Sequence, residues 1–566
     1  MIKSVFVNDK NRVYLNQQEY HAFLDKRMRI MALLLSLALG VLFAATHEYW
    51  TDEYQSWAIA CDVPLLQLPS MLPTEGHPLF YYLYLKLFVQ WLPATWMTWT
   101  SCILYFCAQI VLYRVDMMRT EVFALLSIMP TTAYWFGGFA RSYVLCYLCI
   151  ALLLYGYNSR FEYKILYSLL IAASLNVHYQ FTVVVACFGC IYGIELIYLM
   201  VKEFKQVGLL AGLQSTKKHV IAGFIMLFGV LLSVAQFTMA DTDVGAFEVS
   251  GESVANVVNV ASKTILGYYG VPYTGVANLI GIALLFIFML FIMSYALNLK
   301  TSGIAMMVTY IGNAAVLIKV NLTTSQKTLL LLLSMLLCCY ISPVFEKVQE
   351  QQRSKHRYNC ALLLCSCILL HTITSMDDIV IDVRYDFYGS KMAAEAMEQY
   401  CTDKSIPLFV AQYTCSSATS RMAEDGYTVM YAESPRGKRY AVWFSTEEIV
   451  EGEAVDALMT QRMRPDEFID LFAHWYGIED GTRMYVVFPL LYTGYSDAAI
   501  AEEDERTQAD MVAQEVDNLQ CMDAEYMRSI GLNALVDWDY TYGYYTFRGV
   551  VIDYVIGSSE GANANE

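Results

Sequence analysis

Between residues 30 and 376, apolar runs follow one another with few interruptions. They lie near 30–46, 78–92, 97–115, 121–138, 141–158, 163–178, 180–201, 219–239, 275–296, 303–320, 328–345 and 359–376. Many approach the roughly 20 residues that a helix needs to cross a bilayer. A water-soluble core does not absorb so much apolar sequence in one stretch. Hydrophobic residues make up 57% of the 566-residue chain, and mean hydropathy is +0.40. The pattern predicts a polytopic α-helical membrane protein with about 11–13 transmembrane helices. Residues 1–29 form a polar N-terminal segment, 30–376 the membrane domain with an outer loop at 47–77, and 377–556 a separate domain. Residues 557–566, GSSEGANAN and a final Glu, read as a disordered tail.

The first run begins only after about 29 polar residues and carries no small-residue cleavage site, so it reads as a retained helix. Lys26, Arg27 and Arg29 precede it and favour a cytoplasmic N-terminus at the cell membrane. Lys347, Arg353, Lys355 and Arg357 mark an inner loop before the last run, as do Lys202, Lys205, Lys217 and Lys218 further back. Asp241, Asp243, Glu248 and Glu252 mark an outer loop between them. This places residues 377 onward on the extracytoplasmic side. Counting from the N-terminus conflicts with counting from the C-terminus by one crossing. Pro130 and Gly137-Gly138 make 121–138 the run expected to be broken or re-entrant, since irregular backbone at membrane depth is tolerated where it lines a cavity.

In the tail, 407–413, 427–432, 440–444, 484–491 and 544–556 read as strands, and 389–400, 446–472 and 502–530 as helices. Such alternation predicts a small α/β domain. The net charge of −17 argues against a nucleic-acid partner. The 15 cysteines fall mostly in apolar runs, where the thiol behaves as a small hydrophobe. Cys401, Cys415 and Cys521 lie in the tail, and three do not define a disulfide.

Polar residues that interrupt the apolar pattern carry the candidate chemistry. Asp52 and Glu53 follow the first run directly. Acids there either solvate a helix end or stand over a cavity to take a proton from a bound hydroxyl. The stretch after them, with Trp57 and Ile59, reads as an amphipathic segment along the membrane interface. Glu75 and His77 lie at the mouth of the next run, where Gly76-His77-Pro78 either caps a helix or presents His77 to a phosphate or metal. Arg141 lies between apolar runs, either snorkelling to the interface or pairing with an anion such as phosphate, with Tyr143 beside it. An arginine near membrane depth costs roughly 2.5–3.5 kcal/mol at mid-helix. Asn176 and His178 either satisfy a helix end or line the same cavity. Lys263, with Tyr268-Tyr269, lies in the outer loop 240–273, which suits a lid.

This layout resembles the GT-C superfamily of integral-membrane glycosyltransferases, closest to the branch of protein O-mannosyltransferases and bacterial aminoarabinose transferases. The resemblance rests on Asp52-Glu53, Glu75-Gly76-His77-Pro78, Arg141-Ser142-Tyr143 and Asn176-Val177-His178, and covers roughly residues 30–200. It implies a polyprenyl-phosphate-linked sugar as donor and a glycan, lipid or protein acceptor on the outer face. It assigns Asp52 as general base and Glu53 to orient the acceptor or share a divalent metal, with His77 the other metal candidate. His77 and Arg141 would hold the leaving phosphate. Leu79 follows the His-Pro pair where relatives acting on proteins often have a second proline, which weakens a protein acceptor. A transporter or flippase of lipid-linked sugars is the main alternative, and inverted repeats would favour it. A non-catalytic envelope assembly subunit is another.

Overall fold

The computed structural model describes residues 17–69, 71, 78–239, scattered positions between 283 and 299, 300–320, 325–346, 350–384, 389–411, 413–432, 434, 437–441, 464–493, 524–542 and 545–557. Glu75, His77, Lys263, the helical readings at 446–463 and 502–523, and the tail from 558 lie outside them.

The helices that build the N-terminal bundle are α1 (Gln17–Thr46), α2 (Thr51–Asp62), α3 (Phe80–Leu85), α4 (Met97–Tyr113), α5 (Thr120–Ile128) and α6 (Pro130–Ala133). A π turn at Tyr134–Gly138 continues α6. Then come α7 (Tyr143–Gly156), α8 (Lys164–Ser174), α9 (Tyr179–Val207), α10 (Lys217–Met239), α11 (Lys300–Val320), α12 (Ser325–Cys339), α13 (Glu350–Thr374) and α14 (Met376–Arg384). Among the described residues, Ala22–Thr46, Ala94–Tyr113, Tyr179–Val207 and Lys217–Gln236 are long and apolar enough to cross a membrane. Pro130–Gly138 and Tyr143–Gly156 meet that test as a pair and are bent by 116°.

The helices shuttle between two ends. At one, Arg29 donates to the carbonyls of Met118, Leu112, Tyr113 and Val115 and stacks on Phe123. Arg119 lies over Tyr358, and Arg160 binds Glu195 and the Ser342 carbonyl. At the other, Thr98 bonds the Ala44 carbonyl, Phe43 packs on Tyr134, and His47 packs on Phe139. Asn176 bonds the Gly229 carbonyl, and Gln180 reaches the Lys327 carbonyl. Thr131 bonds Thr372, and His47 bonds Asp382. From Arg29 to Asp382, α1, α4, α5 with α6, α7, α8, α9, α10, α11, α12 and α13 each join one end to the other. Gln236 lies at the His47 end and Ser302 at the Arg29 end. The bundle thus starts at the Arg29 end and finishes at the His47 end, where Asp382 meets His47.

The break expected in run 121–138 is present. Run 121–138 is broken at Met129 but passes from the Arg29 end to the His47 end. Pro130 lacks the N–H that would continue the helix, and the Thr132 hydroxyl bonds the Leu126 carbonyl, which the proline leaves without its helical donor, as well as the Met129 carbonyl. Run 78–92, also read as a span, stays at the His47 end. After α3 it continues in turns along the His47 end, with Tyr84 bonded to the Thr100 carbonyl and Lys86 to the Val63 carbonyl.

The π turn lies hard against α1 and α4. A Cβ on Gly138 would stand 3.1 Å from the Phe43 Cβ, and one on Gly137 3.2 Å from the Tyr105 ring. Glycine at both positions lets this segment reach the His47 end beside α1.

The C-terminal domain is α/β, as its alternation predicts. Strands β1 (Leu408–Val410), β2 (Val429–Tyr431), β3 (Arg483–Thr493), β4 (Asn533–Tyr542) and β5 (Tyr545–Val555) form one sheet in the order β2-β1-β3-β5-β4. β1 pairs in parallel with β2 and β3, and β5 antiparallel with β3 and β4. Helices α15 (Ser390–Tyr400) and α16 (Ser416–Glu424) cover one face, and α17 (Pro465–Tyr476) and α18 (Ala524–Ser529) the other. Strand β4 falls outside every strand read from sequence. Tyr440 and Ala441, read as the start of a strand, lie in a bend and coil. Cys401 and Cys415 are buried and form no disulfide, and Cys521 is not described.

The domain does not stand apart. Leu408, Val410, Tyr413 and Met422 share one apolar core with Trp57, Ile59, Tyr81, Tyr82 and Leu85. The interfacial reading of Trp57 and Ile59 is thereby corrected. Both are almost wholly buried, and α2 is covered nearly all round, so it has no free apolar face to offer lipid.

Candidate functional site

The stretch from His47 to Asp62 is divided between joining and exposure. Glu48 accepts from the Ser390 hydroxyl and the Lys391 N–H at the start of α15, with Arg421 at 3.6 Å. Tyr49 bonds Ser420 at 3.0 Å. Gln55 makes reciprocal bonds with the backbone of Ala441, at 2.7 and 2.9 Å. Asp62 binds Arg439 in a fork, at 2.6 and 3.0 Å. Each ties the loop after α1 to the C-terminal domain.

Glu53 is a buried joint. Its Oε2 accepts from the Trp50 N–H at 3.1 Å and from His47 Nε2 at 3.0 Å, and its Oε1 from the Ala140 N–H. His47 Nδ1 donates to Asp382 Oδ2 at 2.8 Å. An imidazole that donates from both nitrogens is an imidazolium. Burial opposes that charge, but Asp382 and Glu53 together hold the imidazole up at about 10.

Asp52 is placed differently. Adjacent helical residues point about 100° apart, so the partner of a buried Glu53 faces outward. The Asp52 side chain is 48% exposed. Arg141 Nη1 donates to the Asp52 carbonyl at 2.9 Å and stands 3.5 Å from its carboxylate. Burial works against the guanidinium, yet Asp52 and the hydroxyls of Tyr143, Tyr82 and Tyr81 keep it above its ordinary range. Lys327, in the first turn of α12 and just ahead of run 328–345, lies within electrostatic reach of both Arg141 and Asp52.

His178 closes the group. Its Nδ1 accepts the Gln180 N–H at 3.2 Å, capping α9, and its ring packs on Tyr143 at 4.8 Å. Burial, with Lys327 and Arg141 nearby, pushes it down to about 3, so it is a neutral donor through Nε2–H. The structure thus brings Asp52, Arg141, Tyr143 and His178 together and adds Lys327. The sequence signal for Lys327 is a lone cation at the mouth of an apolar run. Asn176 is not part of this group. It is buried and bonds the Ala172 and Gly229 carbonyls and Gln236, whose Oε1 accepts the Leu79 N–H at 2.9 Å.

Glu53 does not suit a metal, because its oxygens already accept N–H groups. Among the described residues no three His, Cys, Asp or Glu side chains form a metal-holding group. The arrangement can take a proton at Asp52 and bind an anion at Arg141 and Lys327. No protein-family model, curated protein or solved structure matches this chain.

Proposed function

We propose that this chain is a polytopic membrane glycosyltransferase that moves a sugar from a polyprenyl-phosphate donor to a hydroxyl acceptor on the extracytoplasmic face. The observation that carries the reading is a half-exposed carboxylate, Asp52, 3.5 Å from the Arg141 guanidinium and within electrostatic reach of Lys327, at one end of an apolar bundle. Asp52 takes the proton of the acceptor hydroxyl as its oxygen bonds to the anomeric carbon. The bond from that carbon to the phosphate oxygen breaks, and the polyprenyl phosphate leaves as an anion. Preorganised cations stabilise charge developing there. A guanidinium has five N–H donors, enough to hold Asp52 and a phosphate oxygen together. The Tyr143 ring and the neutral His178 frame the same space. The donor's chain stays in the bilayer, so a site at the bundle's end meets its phosphate without extracting it.

Sidedness follows from charge. Arg29, Arg119, Lys164 and Arg353 gather at the end opposite Asp52, which suits a cytoplasmic face. On this reading the C-terminal domain, at the end of the bundle with Asp52, is extracytoplasmic. The resemblance over residues 30–200 agrees with this reading.

The test uses the full chain in nanodiscs with polyprenyl-phosphate sugars labelled in the sugar. Transfer by the wild type and a loss of ~100-fold or more in Asp52→Asn, with insertion intact, is the expected result. Undiminished transfer in Asp52→Asn would remove the base assignment. Movement of the intact labelled lipid between leaflets without sugar release would favour a flippase.

A further inference from the structure

We propose that Glu53 is a positioning residue that sets the Asp52–Arg141 pair by holding both of its backbones through one carboxylate, and that His47 and Asp382 fix this carboxylate from the side of the C-terminal domain. This rests on the reading of Asp52 and Arg141 given above.

Glu53 is the residue after Asp52, and Ala140 is the residue before Arg141. One oxygen of Glu53 accepts the Ala140 N–H, and the other accepts the Trp50 N–H at the start of α2. The two segments that carry the reactive pair are therefore fastened to one another one residue away from it. No shift of Phe139–Ser142 relative to α2 leaves that bond intact. Arg141 reaches Asp52 across the same gap, with its bond to the Asp52 carbonyl at 2.9 Å.

The second tier runs His47 Nε2 to Glu53 at 3.0 Å and His47 Nδ1 to Asp382 at 2.8 Å, all three side chains buried. Asp382 lies on α14, between the last passage of the bundle and α15 of the C-terminal domain. Beside it, Glu48 holds the first turn of α15. The seat of the domain is thus transmitted to Glu53, and through it to the pair. Stability alone does not account for the arrangement. Replacing a buried ion cluster by apolar side chains of similar volume is often neutral or stabilising. What apolar side chains do not supply is a directional acceptor for the Ala140 N–H.

The experiment compares Glu53→Ala, Glu53→Gln, Asp382→Asn and, as control, Arg483→Gln, which breaks an exposed pair with Asp553 on the sheet. All are made in the full chain in nanodiscs. Hydrogen exchange of peptides spanning 139–142 reads the fastening directly. Glu53→Ala is expected to speed it by ~10-fold, since a hydrogen bond to a charged group is lost. Glu53→Gln keeps an amide oxygen for Ala140 but turns its NH2 toward the Trp50 and His47 donors, so it exchanges more slowly than Glu53→Ala and faster than the wild type, Asp382→Asn also falls between, and Arg483→Gln does not change. Sugar transfer is the second readout. Glu53→Ala lowers kcat while the donor KM holds, and Glu53→Gln recovers most of kcat. Unchanged exchange at 139–142 in Glu53→Ala would overturn the positioning role, as would Glu53→Gln and Glu53→Ala behaving alike in both readouts. If exchange follows the expected order but the wild type transfers no sugar, the fastening stands and the transferase reading fails.

Discussion

Asp382→Asn is the sharpest test of the buried joint, because it removes a charge and keeps the shape. The asparagine oxygen can still accept from His47 Nδ1, so packing and one hydrogen bond survive. Holding the His47 imidazole at about 10 against an ordinary 6.5 corresponds to roughly 5 kcal/mol of preference for the imidazolium. Burial works against this, and Asp382 contributes more than Glu53 to overcoming it. Burial also raises the Asp382 carboxyl, which offsets part of this, so losing its charge is expected to cost about 1–2 kcal/mol at neutral pH. If the C-terminal domain and its loop unfold together, the apparent melting temperature falls by about 5 °C. The sign with pH is fixed. The folded value is raised, so the contribution is fully present below 6.5 and is lost as pH rises through about 10. In the variant the folded value is lower, so the loss is complete at lower pH and the gap from the wild type is wide near neutrality and narrows toward pH 10. Tryptophan fluorescence during thermal scans between pH 6 and 10.5 measures this. A wild type and variant that melt together across that range would refute an imidazolium clamped by Asp382.

Three further outcomes follow from single contacts. Arg141→Lys keeps a positive charge but loses the planar fork that reaches the Asp52 carbonyl and carboxylate together; transfer should drop more than tenfold with expression unchanged, read by donor consumption. Trp57→Ala opens a cavity in the core that α2 shares with the C-terminal domain, at a cost of about 3–5 kcal/mol, and limited proteolysis should release the C-terminal domain sooner. Gly138→Ala puts a methyl 3.1 Å from the Phe43 Cβ, so overpacking of about 1–3 kcal/mol should appear as a lower melting temperature.

The apolar runs and the α/β alternation were legible because each is a repeated local signal. The passage count was not, because run 78–92 is as apolar as its neighbours. What keeps it at the His47 end is tertiary: Tyr81, Tyr82 and Leu85 belong to the apolar core that α2 shares with the C-terminal domain. The same contact hides Trp57 and Ile59, whose pattern alone suits a membrane surface equally well. Asp52 and Arg141 were found because they break apolar stretches. Their partners were harder to see. Asp382 stands 335 residues from His47, and no local pattern links positions so far apart. Strand β4 is broken by Asp537 and Asp539 at alternate positions, which is the pattern of an edge strand with one wet face and weakens any apolar count.

The loop after α1 contains four acids, Glu48, Asp52, Glu53 and Asp62, and a sequence reading weighs them alike. Their surroundings separate them. Glu48 caps α15, Glu53 joins α2 to the Phe139–Ser142 turn, and Asp62 grips Arg439. A carboxylate whose lone pairs are already occupied by fixed N–H donors is a poor base, because accepting a proton means giving up a bond. Asp52 is the acid of this loop that faces solvent at the bundle end, with a cation beside it. The three anchored acids explain why it stays there. They fasten the loop to the bundle on one side and to the C-terminal domain on the other, so the segment carrying Asp52 is held at both margins while its side chain remains accessible. A loop free at either margin would present the same residues without a fixed distance to Arg141. The C-terminal domain therefore belongs to the site as its frame.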